Sequence, residues 1–284
     1  SILEQTIPVA CIIVVDNAST DETQVTVSRV LSGSCDYRYV HLPENVGSAG
    51  GFAAGMKVLL STTFTHLWLM DDDGRAEPSA LAHLTRTSAR LGNSAVLNSL
   101  VLTPDSDQLS FGFALSDGRL VKSLNDARMV AEEGLIPAAN FFNGTFIPRE
   151  VIEKVGFVNE DLFIHGDEND YLFRILRNGF PIYTVLDAHH YHPPMRVTGA
   201  GWKTYYRMRN SIYLLRQYYT HPLLRTSKMI ILELWKALKS PDRNFVIAGL
   251  IDGVRGRLGK VIQPGTKAHQ INCLGRAKRM ASGV

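Results

Sequence analysis

The chain has 284 residues, of which 45% are hydrophobic and 20% charged, a balance typical of a folded protein with a substantial core. It contains no run of about 18 apolar residues and no secretory leader, so neither a membrane-spanning helix nor export is expected. Cys11, Cys35 and Cys273 form no CxxC pair, so neither a zinc site nor a disulfide framework is indicated, and a reducing, cytoplasmic setting is favoured.

The net charge of +3 is distributed unevenly along the chain. Residues 196–284 contain 17 Lys and Arg against 3 Asp and Glu, a net of +14, whereas residues 1–195 have a net of −11. Basic and large apolar residues alternate in the last third, so an anionic membrane surface fits it better than nucleic acid. We therefore expect a catalytic domain at 1–198, a basic helical region at 199–284, and a hinge at Gly199-Ala200-Gly201.

Strands and helices alternate in the first hundred residues. Strands are predicted at 10–15, 37–42 and 66–70, and helices at 21–31, with Ser19 or Thr20 as N-cap, 52–60 and 79–91. The small-residue segment 45–51 is predicted to be a loop, which either cradles phosphate or packs tightly against a helix. The alternation argues for a mostly parallel, doubly wound α/β sheet.

The pattern loosens after residue 95. Further strands are predicted at 96–102, 109–115 and 182–186, and helices at 150–155 and 167–177. The chain becomes helical again beyond Trp202. Residues 1–8 resemble the end of a helix, and we expect a preceding strand and helix to be missing.

An acidic run, Asp71-Asp72-Asp73, follows the predicted strand 66–70. Ligands of open α/β sheets bind beyond the carboxyl ends of strands. Adjacent carboxylates repel one another, and a bound Mg²⁺ or Mn²⁺, whose other positions phosphate oxygens can fill, relieves that repulsion. The alternative is a solvated acidic turn that pivots on Gly74. We favour Asp71 and Asp73 as metal ligands, with Asp72 holding the turn.

Three histidines follow the last predicted strand. Imidazole is a good Mn²⁺ ligand beside carboxylates, and we interpret His192 as the third ligand. His189 and His190 are interpreted as surface or packing residues. His190 is the second choice for the metal, because strand alternation places it on the same face as His192.

A second acidic group, Asp167, Glu168 and Asp170, opens a predicted helix. The helix dipole favours carboxylates in a first turn, which explains one or two of them. The apolar run 163–166 before them would bring them to a sheet edge, where a carboxylate can act as general base on an acceptor hydroxyl.

Arg207, Arg209 and Asn210 fall on the predicted helix after Trp202. Arginine can bind a diphosphate through two hydrogen bonds, although most arginines on such a helix are simply solvated. These residues are therefore candidates for donor binding as well as surface residues.

Together these motifs resemble family 2 glycosyltransferases with the GT-A fold, in the family's order over residues 1–215. The segments that carry the resemblance are 14–21 (VVDNASTD), the acidic run 71–73, 166–170 (GDEND) with Arg174, 191–192 (YH) and 206–210 (YRMRN). The resemblance implies an α/β, Rossmann-like sheet flanked by helices and a Mn²⁺ or Mg²⁺ ion held by Asp71, Asp73 and His192. It also implies a catalytic base in the pair Asp167 and Glu168. Two features depart from the family: its first strand is absent, and Glu168 stands where an Asp is usual, although we favour Glu168 as the base.

The resemblance also implies which residues contact the substrates. The donor-binding residues expected are Asp16, which would hold the uracil, Asn17, Asn45, Gly47, Asp71, Asp72, Arg207, Arg209 and Asn210. The acceptor-binding residues expected are Phe142, Asn143, Gly144, His165 and Trp202.

A narrower resemblance is carried by 45–52 (NVGSAGGF), 68–74 (WLMDDDG), 142–144 (FNG) and 163–168 (FIHGDE). These segments look like bacterial galactofuranosyltransferases that begin the actinobacterial cell-wall galactan. The likeness implies inversion, UDP-galactofuranose as donor and a lipid-linked or polysaccharide acceptor. It also implies work in cell-envelope glycan synthesis, on the inner face of the plasma membrane.

Several alternatives stay open. Rhamnosyltransferases that use dTDP-rhamnose share much of the same framework. A nucleotidyltransferase is less favoured, because no Gly-rich loop with Lys or Arg lies near the first strand. A non-catalytic sugar-nucleotide or membrane-binding module is disfavoured by the intact acids at 167–168.

Overall fold

The computed structural model describes residues 1–194 and 201–272. The strands in these ranges are β1 (Ile12–Asp16), β2 (Tyr37–His41), β3 (His66–Leu69), β4 (Arg75–Ala76), β5 (Val96–Leu102), β6 (Gln108–Ala114), β7 (Leu120–Ser123), β8 (Leu135–Ile136), β9 (Thr145–Pro148) and β10 (Ile182–Tyr191). The α-helices are α1 (Thr23–Leu31), α2 (Gly47–Leu60), α3 (Ala80–Arg90), α4 (Leu124–Val130), α5 (Arg149–Val155), α6 (Asp167–Arg177), α7 (Lys203–Tyr218), α8 (Pro222–Ala237) and α9 (Arg243–Arg255). None of the helices described is both long and apolar enough to cross a membrane.

The described residues form two compact units. Unit 1 consists of Ser1–Pro43, Ala54–Phe157 and residues 171–194, and unit 2 consists of Glu44–Ala53, Val158–Asp170 and residues 201–272. The division into 1–198 and 199–284 stays a prediction. Of its hinge, Gly199 and Ala200 lie outside the described residues, as does Cys273.

Unit 1 contains two sheets. β1 and β2 pair in parallel, and an eight-stranded sheet has the order β3-β9-β5-β10-β4, with β6 on β5, β7 on β6 and β8 on β10. In this larger sheet the described pairs are antiparallel, except that β5 and β10 run parallel. The α/β class is therefore confirmed, but the sheet is mixed rather than mostly parallel. Apolar runs locate strands, whereas strand direction depends on partners far away in the chain, such as β9 between β3 and β5.

The core of unit 1 lies around β5. All seven residues of β5 are buried, and Leu97 packs in one cluster with Leu84 of α3 and Phe146 of β9. The polar side chains of Asn98 and Thr145 are buried in this core as well, and the Thr145 hydroxyl donates a 2.6 Å hydrogen bond to the Asn98 side chain. Since buried polar groups cost free energy unless they are paired, this bond allows a polar residue inside the central strand.

Several predicted boundaries are wrong. Residues 1–8 form turns and bends instead of the end of a helix, and Gln5 anchors them by donating to the Glu77 carbonyl and accepting from the Leu81 amide. The N-cap of α1 is Glu22, not Ser19 or Thr20. α4 was missed, although Ser123 and Asp126 form a capping box there, which is a recognisable sequence signal.

The segment 45–51 is mostly helical, because α2 begins at Gly47, five residues before the predicted start. Small residues suggested a loop, since glycine is unfavourable in helices. Tertiary packing prevails here: a Cβ on Gly47 would lie 1.9 Å from the Phe163 carbonyl oxygen, and the Ala49 amide donates to that same oxygen. Glycine at 47 therefore permits a close backbone approach inside unit 2.

The C-terminal helices of unit 2 also pack closely. α7 and α9 meet at a pair of glycines, Gly249 and Gly253, one helical turn apart. A Cβ on Gly249 would lie 2.4 Å from the Tyr205 carbonyl oxygen and 2.9 Å from the Met208 Cβ. The absence of side chains on this face of α9 allows α7 to approach.

We expect Gly249→Ala to lower the free energy of unfolding by about 1–3 kcal/mol, because the added methyl group must push α7 and α9 apart. The matched control is Gly51→Ala in α2, where a Cβ would meet nothing within 4 Å. This control should be neutral or stabilising by up to about 1 kcal/mol. Urea unfolding followed by circular dichroism measures both, and equal effects would show that the helix contact does not require glycine.

Candidate metal centre and acidic site

The acidic run lies just after β3 in unit 1, as predicted. Asp71 is partly buried, whereas Asp72 and Asp73 are exposed. Asp71, Asp73 and His192 each offer a ligand atom, and these atoms all lie within 4.8 Å of one another. The structure thus brings together the three residues predicted as metal ligands.

His192 follows β10 and is held in place by its backbone. Its amide donates to the Leu102 carbonyl at the end of β5, and its carbonyl accepts from the Ser110 hydroxyl at 2.5 Å. Its Nδ1 lies 2.6 Å from the Pro193 carbonyl and donates to that oxygen, which can only accept. Its Nε2 lies 3.0 Å from Asp73 Oδ1. These contacts direct Nε2 of His192 toward Asp73 and into the cluster.

The charges of this cluster favour a cation. Burial, followed by the negative charge of Asp73, raises the pKa of Asp71 to about 6, while His192 acts in the opposite direction. The ionised form of Asp71 is thus destabilised in the bare protein. Two carboxylates and an imidazole suit Mn²⁺ well and Mg²⁺ acceptably, so these residues fit the predicted ion.

The segment predicted to bind acceptor lies beside Asp71. The Asn143 side chain hydrogen-bonds to the Asp71 carboxylate, and the Gly144 amide donates to the Leu69 carbonyl at the end of β3. Gly144 has φ +80°, and a Cβ there would lie 2.5 Å from Ser99 Oγ. Phe142 is buried and packs near Tyr171. Asn143 therefore contacts the metal cluster itself, and Phe142 lies in the core beneath it.

The other two histidines differ from His192. His189 Nδ1 lies 3.0 Å from Glu77. His190 is fully buried, burial lowers its pKa to about 4, and neither ring nitrogen has a hydrogen-bond partner among the described residues. The His190 ring fills the space beside Gly74, where a Cβ would lie 2.1 Å from Nε2. The geometry agrees with a packing role for His190, and Gly74 is needed to admit its ring.

The carboxyl end of β1 carries a third polar site. Asp16 is buried, and its carboxylate accepts hydrogen bonds from the Ser19 amide, the Tyr39 hydroxyl and His41. Burial raises the pKa of Asp16, but these hydrogen bonds outweigh burial and hold the pKa below its usual range. Tyr39 and His41 were missed by the sequence analysis, although their alternation along β2 places them on one face. Asn17 follows directly at the end of the strand.

Asp167 and Glu168 lie in unit 2, in the first turn of α6. Asp167 is buried and accepts from the Ser48 hydroxyl at 3.1 Å, whereas Glu168 is partly exposed and accepts from the Gly166 amide at 2.9 Å. Burial, the charge of Glu168 and a hydrogen bond with Glu168 raise the pKa of Asp167 well above its usual range. Asp167 thus retains a proton more readily than an ordinary carboxyl, and Glu168 is the better candidate for the base. The contribution of Ser48 was not foreseen.

Arg209 and Asn210 do not present their polar groups as donor ligands. Both are buried; Arg209 Nε donates to the Asn210 side-chain oxygen, and the other side-chain hydrogen bonds described for the pair are donated to backbone carbonyls. The carbonyls bound are those of Asp161, Leu162, Ile164, His165 and Gly259. The geometry therefore argues against the predicted diphosphate contact of this pair, because no N–H of the guanidinium is directed to solvent. Arg207 is exposed, so its guanidinium is accessible to a diphosphate.

The backbone held by this pair is unusual. Phe163 and His165 have φ of 65° and 64°, a conformation that few non-glycine residues adopt, and Gly166 follows with φ 84°. Such residues persist only where surrounding contacts enforce them, and they are common next to active sites. His165 is exposed, whereas Trp202 packs against Phe163 and Tyr206. Asn210 and Arg209 thus fix the chain directly before Asp167 and Glu168.

Asn45 lies at the start of α2, also in unit 2. Its side-chain oxygen accepts from the Gly47 amide at 2.9 Å, and Gly47 packs against the Phe163 backbone. Because these groups serve the local packing of the 163–166 segment, the phosphate-cradling alternative for 45–51 gains no support from the described contacts. Their donor-binding role stays a prediction.

The first part of the chain matches a known family. Residues 1–112, which include β1 and the acidic run, match the model described as Glycosyl transferase family 2. This part of the chain is thus similar to glycosyl transferase family 2.

Two curated relatives are similar to the chain over part of its length. Galactofuranosyltransferase GlfT1 of Mycolicibacterium smegmatis is 31% identical over 187 residues, which cover 64% of this chain and 61% of the relative. The dTDP-rhamnosyl transferase RfbF of Shigella flexneri is 27% identical over 135 residues, covering 41% of this chain and 45% of the relative. The chain spans less than two thirds of the length of either relative.

The fold is shared with the mannosyltransferase PcManGT from Pyrobaculum calidifontis, solved in complex with GDP-Man and Mn²⁺. The two are 17% identical with a TM-score of 0.54, and the match covers 89% of this chain and 68% of that one. The prediction of a GT-A glycosyltransferase fold is therefore confirmed.

We expect Asp71→Asn, Asp73→Asn and His192→Ala each to weaken Mn²⁺ binding by at least about tenfold, because each removes one of three converging donors. Titration of Mn²⁺ followed by electron paramagnetic resonance measures binding without any substrate. Asp72→Asn is the matched control, since it removes the same charge from the same run but lies outside the cluster. An equal loss in the control would mean that the run attracts Mn²⁺ only through its overall charge.

Proposed function

We propose that this chain is an inverting, metal-dependent hexosyltransferase. It moves galactofuranose from UDP-galactofuranose to a lipid-linked or polysaccharide acceptor in cell-envelope glycan synthesis. The observation that carries the proposal is the convergence of Asp71, Asp73 and His192 just after β3, in a chain whose residues 1–112 match a glycosyl transferase family.

The metal centre would receive the donor diphosphate. Asp71, Asp73 and His192 would hold Mn²⁺ or Mg²⁺, which offsets the negative charge developing on the departing UDP. PcManGT, which has the same fold, was solved in complex with GDP-Man and Mn²⁺, and this supports the assignment. Asp16 and Asn17 at the end of β1 are proposed to contact the nucleobase, and the exposed Arg207 to contact the diphosphate.

Glu168 is proposed as the general base. Its carboxylate takes the proton of an acceptor hydroxyl while that oxygen bonds to the anomeric carbon, and the bond from that carbon to the diphosphate breaks. The electron pair of the broken bond leaves with UDP, and a single displacement inverts the anomeric centre. Asp167, which retains its proton more readily, would stabilise the side chain of Glu168 through their hydrogen bond.

The donor sugar is proposed from the relatives. The galactofuranosyltransferase relative matches this chain over a longer segment and at higher identity than the rhamnosyltransferase relative does. Galactofuranose is therefore the first choice, and dTDP-rhamnose is the alternative donor. We place the reaction at the cytoplasmic face of the plasma membrane, where a lipid-linked acceptor would be presented.

We expect Glu168→Gln to lower the transfer rate at least about 100-fold, because an amide cannot take the acceptor proton. The amide oxygen can still accept from the Gly166 amide, so the fold and the binding of UDP should be preserved. Radiolabelled sugar transfer measures the rate, and calorimetry with UDP and Mn²⁺ measures binding. Glu150→Gln in α5 is the matched control and should transfer normally; a near wild-type rate in Glu168→Gln would refute this role.

A donor panel separates the candidate functions. With Mn²⁺ present, slow hydrolysis of UDP-galactofuranose should exceed that of dTDP-rhamnose by at least about tenfold, since a site selects sugars through hydrogen bonds to their hydroxyls. Preference for dTDP-rhamnose would establish the alternative. Cleavage of neither donor, with sugar-nucleotide binding intact, would favour a binding module.

A further inference from the structure

Helix α8 of unit 2 exposes an apolar face. Leu224, Ile231, Trp235 and Leu238 recur at spacings of seven, four and three residues, which places them on one side of a helix. Ile231 and Trp235 are 70% and 72% exposed, and the neighbouring Leu223, at the side of this row, is 82% exposed. Exposed apolar side chains are ordinary when scattered, whereas a continuous row of this kind indicates an interaction surface.

The opposite side of α8 is already packed. Met229 and Ile230 lie against a buried cluster that includes Met208, Ile212 and Val246. The exposed row is therefore not the side that folding of unit 2 uses. An apolar groove continues the surface toward α9 and is lined by Ile230, Leu234, Ile247, Leu250, Ile251, Val254 and Arg255.

Positive charge borders the exposed row. Lys228 and Lys239 are exposed and fall next to Trp235 on the helical projection, and Arg225 and Lys236 follow beyond them. Glu233, the acidic residue of α8, lies on the packed side and pairs with Lys236 at 2.8 Å. Over residues 201–272 there are 13 Lys and Arg against 3 Asp and Glu.

We propose that this surface, defined by the outward residues of α8 and named the α8 face, binds the surface of an anionic lipid bilayer. The apolar row enters the boundary between headgroups and acyl chains, and the bordering cations contact lipid phosphates. The proposal rests on the membrane location in the proposed function, and it assigns that role to one helix.

Charge distinguishes lipid from other occupants. A two-fold contact between two copies would set the α8 face against itself and bring Lys228, Lys239 and Arg225 near identical cations. Nucleic acid would pair with the cations but would leave the apolar row in water. An anionic bilayer satisfies both parts of the surface at once.

The test uses the full chain with vesicles of phosphatidylcholine containing about one third phosphatidylglycerol, without donor or acceptor. Co-sedimentation should be strong with these vesicles and weak with vesicles of phosphatidylcholine alone. High salt should weaken co-sedimentation with the anionic vesicles. Ile231→Ser with Trp235→Ser should lower partitioning at least about tenfold, since two inserted apolar side chains are lost. Lys228→Gln with Lys239→Gln should lower it roughly tenfold on anionic vesicles.

Leu120→Ser with Met129→Ser in unit 1 is the matched control, because these side chains are 58% and 74% exposed and lie outside the α8 face. This control should bind vesicles like the wild type. A second readout is the fluorescence of Trp235, which should shift to shorter wavelength with anionic vesicles and lose that shift in Trp235→Phe. Equal loss in the control, or binding that ignores lipid charge, would overturn the proposal.

Analytical ultracentrifugation tests whether a second copy of this chain, instead of lipid, covers the α8 face. If the wild type is a dimer that Ile231→Ser with Trp235→Ser converts to a monomer, and no vesicles bind, the α8 face is a contact between copies and the proposal is wrong. Because the assay contains no sugar nucleotide, its failure leaves the proposed transfer reaction standing, and failure of transfer leaves this assay interpretable.

Discussion

Repulsion between neighbouring carboxylates is the constraint on which both candidate sites of this protein depend. At the end of β3, Asp71 is partly buried beside Asp73, and the pKa of Asp71 rises to about 6. Beside this pair lie the imidazole of His192, whose Nε2 is 3.0 Å from Asp73, and the side-chain amide of Asn143. Such a donor set stabilises a divalent cation far better than it stabilises the bare carboxylates.

The same constraint is met differently at Asp167 and Glu168. There the repulsion is relieved by a proton, because burial and the neighbouring charge raise the pKa of Asp167. The acids stay together because the preceding backbone is held by hydrogen bonds from Asn210 and Arg209. Arg209 contributes its charge to backbone carbonyls instead of to a carboxylate, which leaves Glu168 unpaired with any described cation and suited to accept a proton.

At both acidic sites, glycine residues allow close packing and hydrogen bonds hold the backbone in position. Gly74 makes room for the buried ring of His190 in unit 1, and Gly47 allows α2 to approach the Phe163 backbone in unit 2. Left-handed residues at 163 and 165 would be costly in isolation, so contacts from α7 must compensate. The α8 face differs from both sites, because its apolar side chains are exposed and do not pack in the core of unit 2.

The sequence by itself determined the α/β class, most strands and helices up to β5, and which residues are candidates for the site. These features are local: apolar periodicity marks strands, and Asp71, Asp73, His192 and Glu168 are recognisable by type and by their order along the chain. Strand direction, the early start of α2 and the bonding of Arg209 and Asn210 depend on residues distant in the chain. Arg209 has the same helix propensity whether its side chain is exposed or buried. Only the tertiary structure therefore decided that its guanidinium is buried and binds the backbone that precedes Asp167 and Glu168.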